Sequence, residues 1–107
     1  MDAREKRMAE NEALFREVNE RVQEAAEHGG GTYDYFCECA NVDCTFRITL
    51  APAEYEAIRK DAKQLVVLPN HYTPEIEELV AEHESHWIVR KDGEAGEYVE
   101  KLDPRAR

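Results

Sequence analysis

The three cysteines of this chain stand within eight residues, in Cys37-Glu38-Cys39-Ala40-Asn41-Val42-Asp43-Cys44. Thiolates are nucleophiles, redox centres and soft metal ligands, and this run concentrates three of them on one short segment. In extended backbone Cys37 and Cys39 point to the same side, because side-chain direction alternates with period two. Four residues then separate Cys39 from Cys44, enough for a tight turn, and Asn41 and Asp43 are residue types that bond local backbone in turns. Three sulfurs can therefore converge, and a tetrahedral zinc site asks for one further donor. A remote fourth ligand would staple distant parts of the chain by closing a long loop.

Four histidines compete for that place. His28 sits at a helix end beside three glycines, where a polar or cationic residue suits the helix C-terminus. His83 falls on the apolar side of a predicted helix, with Glu82 or Glu84 as partners. His86 opens a predicted strand in phase with Ile88. His71 differs, because Leu68-Pro69-Asn70-His71-Tyr72-Thr73-Pro74 reads as a rigid loop between a buried strand and a capped helix. A loop fixed at both ends presents a ligand well. The expected metal set is Cys37, Cys39, Cys44 and His71, with zinc as cofactor. Two other readings of the cysteines stand beside it: reduced thiols packed in a core, and a redox-responsive cluster.

Catalysis finds little support. A catalytic zinc keeps an open position for water and needs a nearby general base. Glu38 lies between two cysteines and points to the opposite side of the strand. No Gly-rich phosphate loop, nucleophile elbow or His-Glu-x-x-His segment occurs. The expectation is a non-enzymatic interaction or regulatory module, with a redox- or metal-responsive zinc–thiolate switch as the alternative.

Local patterns set out the elements that must position these residues. From Asp2 to about Glu27 the chain is rich in Ala, Glu and Arg and free of Pro and Gly, which predicts one helix ending at Gly29-Gly30-Gly31. Met8, Phe15, Val18, Val22 and Ala25, with Asn11 filling one place, make a heptad seam. Either the seam packs on the chain's own domain or it engages a protein partner or second copy. Thr32 to Cys39 and Phe46 to Leu50 read as a strand and its return. Pro52 opens a short helix to about Lys60, and Leu65 to Leu68 is a buried strand stopped by Pro69. Thr73-Pro74-Glu75 reads as a helix start, with Ile76, Leu79 and Val80 on the apolar face and an end near Glu84. His86 to Arg90 is a last strand, followed by a polar tail from Glu94 held through Tyr98, Val99 and Leu102. The fold expected is α+β: a long N-terminal helix (residues 1–28), then a zinc-stabilised antiparallel sheet with two short helices (residues 32–104).

Composition narrows the partners. Against 24 acids stand 14 Lys and Arg, a formal net charge of −10 in 107 residues. Nucleic-acid binders and proteins docked on anionic membranes carry basic faces, so neither partner is expected. No small-molecule substrate is evident. No apolar stretch nears the ~20 residues of a membrane span, and no apolar h-region follows the N-terminus, so a secretory signal is not expected. An odd cysteine number argues against a disulfide framework, and a cytoplasmic location is expected.

The cysteine spacing resembles the post-SET zinc segment of lysine methyltransferases, where three such cysteines join one remote ligand. The chain is too short for a SET domain, so the likeness implies zinc and not methyl transfer. From Met8 to Arg105 the chain also resembles a group of small uncharacterised actinobacterial proteins. The resemblance rests on Asn11 to Arg21, Phe36-Cys37-Glu38-Cys39 with Cys44, Leu50 to Arg59, a valine-rich strand, a Pro-Gly-His-like loop and Asp103-Pro104-Arg105. It departs at Asn70, where Gly is usual, and at Ala51, where Thr would cap a helix. Asn tolerates positive φ, whereas Ala weakens the helix start. The resemblance implies a shared fold with Cys37, Cys39, Cys44 and His71 as matched positions, and no established activity.

Overall fold

A computed structural model describes residues 1–26, 30–41 and 43–106. The fold is α+β, as expected. Helix α1 (Ala3–Ala26) is followed by strands β1 (Tyr33–Phe36) and β2 (Arg47–Leu50), helix α2 (Pro52–Ile58), and strand β3 (Gln64–Val67). Strands β4 (Glu77–Glu82) and β5 (Trp87–Lys91), helix α3 (Gly93–Lys101) and a 3₁₀ turn at Pro104–Ala106 complete the chain. The strands form two antiparallel sheets where the sequence predicts one: β1–β2, and β3–β5–β4 with β5 in the centre.

The β1–β2 pair places Tyr35 opposite Ile48 and Tyr33 opposite Leu50. Tyr35, Ile48 and Leu50 turn inward and are buried, as strand alternation requires. Tyr35 stacks on Tyr55 of α2 with ring centroids 4.6 Å apart. Leu65, Val66 and Val67 of β3 and Val89 of β5 complete this core. Its apolar side chains each contribute about 1.5–3 kcal/mol by leaving water. Ala51 indeed provides no side-chain cap for α2, and Glu54 compensates by reaching back to accept the Ala51 N–H at 2.9 Å.

Two sequence expectations are corrected. Thr73-Pro74-Glu75 does not start a helix to Glu84. The chain makes one turn, in which the N–H groups of Ile76 and Glu77 both donate to the Thr73 carbonyl (3.2 and 3.1 Å). It then extends as β4, with Glu77, Leu79 and Ala81 inward and Glu78, Val80 and Glu82 exposed. Pairing with β5 overrides the helical propensity of Glu-Glu-Leu-Val-Ala-Glu. The second correction concerns the polar tail, which contains helix α3 and buries Ala95, Gly96 and Val99. Gly96 is required there: a Cβ would lie 2.4 Å from the Lys91 carbonyl oxygen, where α3 crosses β5.

Helix α1 lies on this body by a polar face. Its buried residues include Glu12, Arg16, Asn19, Glu20 and Gln23, with Ala9, Ala13 and Ala26 between them. The heptad seam turns partly or wholly away: Val18 and Ala25 are exposed, Met8, Asn11, Phe15 and Val22 half-buried. Leu14 is 56% exposed. No helix among the described residues is long and apolar enough to cross a membrane.

Candidate metal centre

Strand β1 delivers Cys37 and Cys39. The Cys37 N–H donates to the Phe46 carbonyl at 3.1 Å, carrying the β1–β2 ladder one step beyond Phe36. The turn that returns Cys44 closes through Cys44 N–H to Asn41 C=O (3.0 Å), and the Asn41 side chain accepts the Asp43 N–H (3.0 Å). His71 arrives from the other sheet. After β3, Pro69 and Asn70 form a turn with the His71 N–H on the Leu68 carbonyl at 3.0 Å. Asn70 sits at φ +71°, the left-handed region that Asn tolerates and Gly would occupy freely.

These elements bring Cys37, Cys39, Cys44 and His71 together, with their ligand atoms all within 4.8 Å of one another. His71 Nδ1 lies 3.5 Å from Cys37 Sγ and 3.7 Å from Cys44 Sγ. In a tetrahedron with metal–sulfur bonds of about 2.3 Å and a metal–nitrogen bond of about 2.0 Å, the S···N edge is about 3.5 Å. These two separations match tetrahedral edges, and the four side chains could hold one metal ion. All three cysteines are buried and none is in a disulfide.

The thiols also perturb one another. Hydrogen bonding from Cys37 draws the Cys39 thiol down to about 5, against the effect of burial. Cys37 moves up, through that same bond and through burial. The Leu68 N–H donates to Cys37 Sγ at 3.2 Å, a contact that favours thiolate.

Glu38 anchors the cysteine segment from behind. As alternation predicts, it points away from its cysteine neighbours, into the core, where it is fully buried. Its Oε2 accepts from Asn19 (2.9 Å) and Tyr55 (2.7 Å), and its Oε1 accepts the Val66 N–H (3.0 Å). The Glu38 N–H in turn donates to the Val66 carbonyl at 2.8 Å. One residue thereby covers the free edge of β3 and ties it to the cysteine loop. Burial pushes its carboxyl up, and the bonds from Asn19, Tyr55 and Val66 pull against that shift. Asn19 also brackets β1: its Oδ1 accepts the Phe36 N–H (2.7 Å) and its Nδ2 donates to the Phe36 carbonyl (2.8 Å). An amide side chain here replaces the neighbouring strand that this edge lacks.

The other histidines are elsewhere. His83 and His86 stack on each other at the β4–β5 turn, with centroids 4.7 Å apart, and Ser85 Oγ meets His86 Nδ1 at 2.9 Å. His83 is exposed in that turn, not on a helix's apolar side. His86 is buried, which together with its neighbour His83 lowers its pKa. His28 lies outside the described residues. The support given by Glu38 and Asn19 was invisible in motif spacing, although alternation fixed the direction of Glu38. No protein-family model, curated protein or solved structure matches this chain.

Proposed function

We propose that this protein is a non-enzymatic interaction or regulatory module whose fold is clipped by one structural zinc ion on Cys37, Cys39, Cys44 and His71. The observation that carries the reading is the set of four converging ligand atoms with tetrahedral S···N separations. Three sulfurs and one imidazole are a borderline-soft set that suits zinc. Four protein ligands leave no position for an activated water, and Glu38, the carboxylate between Cys37 and Cys39, is spent on the core. Native mass spectrometry of untagged protein should find one zinc per chain. The zinc should disappear in Cys37→Ser, Cys39→Ser or Cys44→Ser and bind more weakly in His71→Ala. Folded wild-type protein without metal would sink the reading.

The partner side of the proposal is helix α1 in a cytoplasmic protein. The body grips its polar face, and Leu14 and Val18, one turn apart, stand outward for a protein partner or second copy. Sedimentation of Leu14→Glu/Val18→Glu against wild type tests self-association without removing the buried residues that the fold needs.

A second reading, a redox- or metal-responsive switch, draws on one observation: Cys39 and His71 line a solvent-open cleft. Peroxide would take two electrons from two thiolates and two protons from solvent and leave as two waters, joining the sulfurs in a disulfide and freeing the metal. Zinc retention at low peroxide would exclude it.

A further inference from the structure

The cleft beside the metal loop has a volume of about 480 Å³, the size of a site for a few side chains. The start of α1 forms one wall through Arg4 and Met8, and the loops carrying the cysteines and His71 form the other. Met8 and Tyr72 supply apolar surface, with Asn70 and Thr73 adding polar groups. An adjoining pocket along α1 shares Arg4 and Met8 and adds Arg7, with Glu10 and Asn11 also in its lining.

The charges here are unlike those elsewhere. Arg59, Arg90 and Arg105 are paired with carboxylates, as is the more exposed Arg21. Arg16 donates to two backbone carbonyls, and Arg47 lies over the Phe36 ring. Among the described residues Arg4 and Arg7 alone of the arginines have no carboxylate, carbonyl or ring partner. No acid lines the main cleft, although the chain carries 24 acids. Two free guanidiniums beside an apolar floor complement carboxylates flanking an apolar side chain.

We propose that this cleft docks a short acidic segment of a partner protein, its carboxylates on Arg4 and Arg7 and an apolar side chain against Met8 and Tyr72. A nucleic acid suits it less well, because two arginines neutralise few phosphates and the remaining surface of a −10 chain repels a polyanion. The metal-clip reading enters only because the metal loop forms one wall.

The test is fluorescence anisotropy on the zinc-loaded full chain, using a short fluorescein-labelled peptide that alternates glutamate and leucine. Saturable binding is expected, weakening as salt rises. Arg4→Glu/Arg7→Glu should weaken it about tenfold or more while zinc content stays at wild-type level. Absent binding, undiminished binding by the double variant, or equal binding of a lysine-for-glutamate peptide would each overturn the proposal. So would tighter binding of a labelled single-stranded oligonucleotide. Zinc content of the same samples separates the two readings. A zinc-loaded protein that ignores the peptide defeats the cleft alone, whereas a folded zinc-free protein defeats the clip.

Discussion

The cysteine loop gathers four soft donors from two short segments on one side of the body, whereas the inner face of α1 is held by charged groups from many later elements. In the first region the donors converge with no carboxylate among them. In the second, Arg59 bonds Glu20 at 3.1 Å and also pairs with Asp103, while Arg105 joins Glu20 through Nε at 3.0 Å and grips Glu56 with its two terminal guanidinium nitrogens (2.7 and 2.9 Å). Lys91 of β5 pairs with Glu12, both fully buried. Burial drives the Glu12 carboxyl well above its ordinary range against the pull of Lys91, and the neighbouring Glu77 adds to the rise. A metal site concentrates its binding free energy in one ion. A buried ionic lattice has no such centre: each charge is tolerable only while its partners remain.

The comparison breaks first, and by the largest effect, on metal removal. A structural zinc in a small domain contributes on the order of 10 kcal/mol of apparent folding free energy. Chelation or Cys37→Ser should therefore lower the thermal midpoint further than any single substitution in the ionic lattice. Amide signals of the Cys37–Cys44 and Leu68–His71 segments should be lost before those of α1 and α3. A chelated protein with an unchanged midpoint would mean that the lattice and the apolar core suffice alone.

The lattice should give way next. Arg59→Met leaves Glu20 and Asp103 buried beside an apolar side chain, a loss of about 3–5 kcal/mol, measurable by urea denaturation. Zinc content should remain near one per chain, because Arg59 touches none of the four candidate ligands. An effect below about 1 kcal/mol, the range of exposed ion pairs, would show that these charges remain hydrated in the folded protein.

Asn19 joins the two regions, bonding the Phe36 backbone and the Glu38 carboxylate from the helix that carries Glu12, Arg16 and Glu20. Asn19→Ala should cost about 1–3 kcal/mol, since it leaves buried groups unpartnered. If the cluster depends on this support, zinc affinity should fall by about tenfold to a hundredfold. Unchanged zinc affinity in a destabilised protein would instead separate the clip from the helix that backs it.

The two regions also differed in what their sequence revealed. The cysteine cluster was legible because its donors are close in sequence, rare in type and bound to one coordination geometry. His71 could be singled out because Pro69 and Pro74 frame its loop. The face of α1 was not legible. Its buried polar positions are Glu12, Arg16, Asn19, Glu20 and Gln23, which hydrophobic periodicity assigns to solvent. Their partners lie up to 85 residues away, between Glu20 and Arg105, and no local pattern encodes that pairing. The same limit explains β4, where a cap-like Thr-Pro-Glu and helix-forming residues yield to a strand partner. It explains α3 as well, whose two glycines in Gly-Glu-Ala-Gly argue locally against the helix that contact with β5 selects.

The smallest expected effect lies at the exposed rim of the lattice and reads out as pH dependence. The bond from Arg105 holds the Glu56 carboxyl below its ordinary value of 4.5, outweighing a slight burial. Burial alone would raise Asp103, but the Arg105 N–H and the Arg59 guanidinium bring it below 3.8. In both cases the unfolded chain binds protons more readily than the folded one. Their stabilisation is therefore present above pH ~4.5 and is lost as the pH falls through the folded values. Glu12 works in the opposite sense: its raised value favours the folded state at low pH, and that advantage fades as pH rises above ~4.5. Arg105→Gln removes the largest cause of the Glu56 shift, leaving the smaller pulls of Gln23 and Arg59, and leaves Glu12 untouched. Urea midpoints between pH 3 and 5 should fall less steeply on acidification in Arg105→Gln than in wild type. At pH 7 the variant should lose about 1 kcal/mol or less, as expected where solvent screens one partner of the pair. An unchanged acid slope would place Glu56 outside the lattice and leave its ionic part to the buried Arg59 cluster alone.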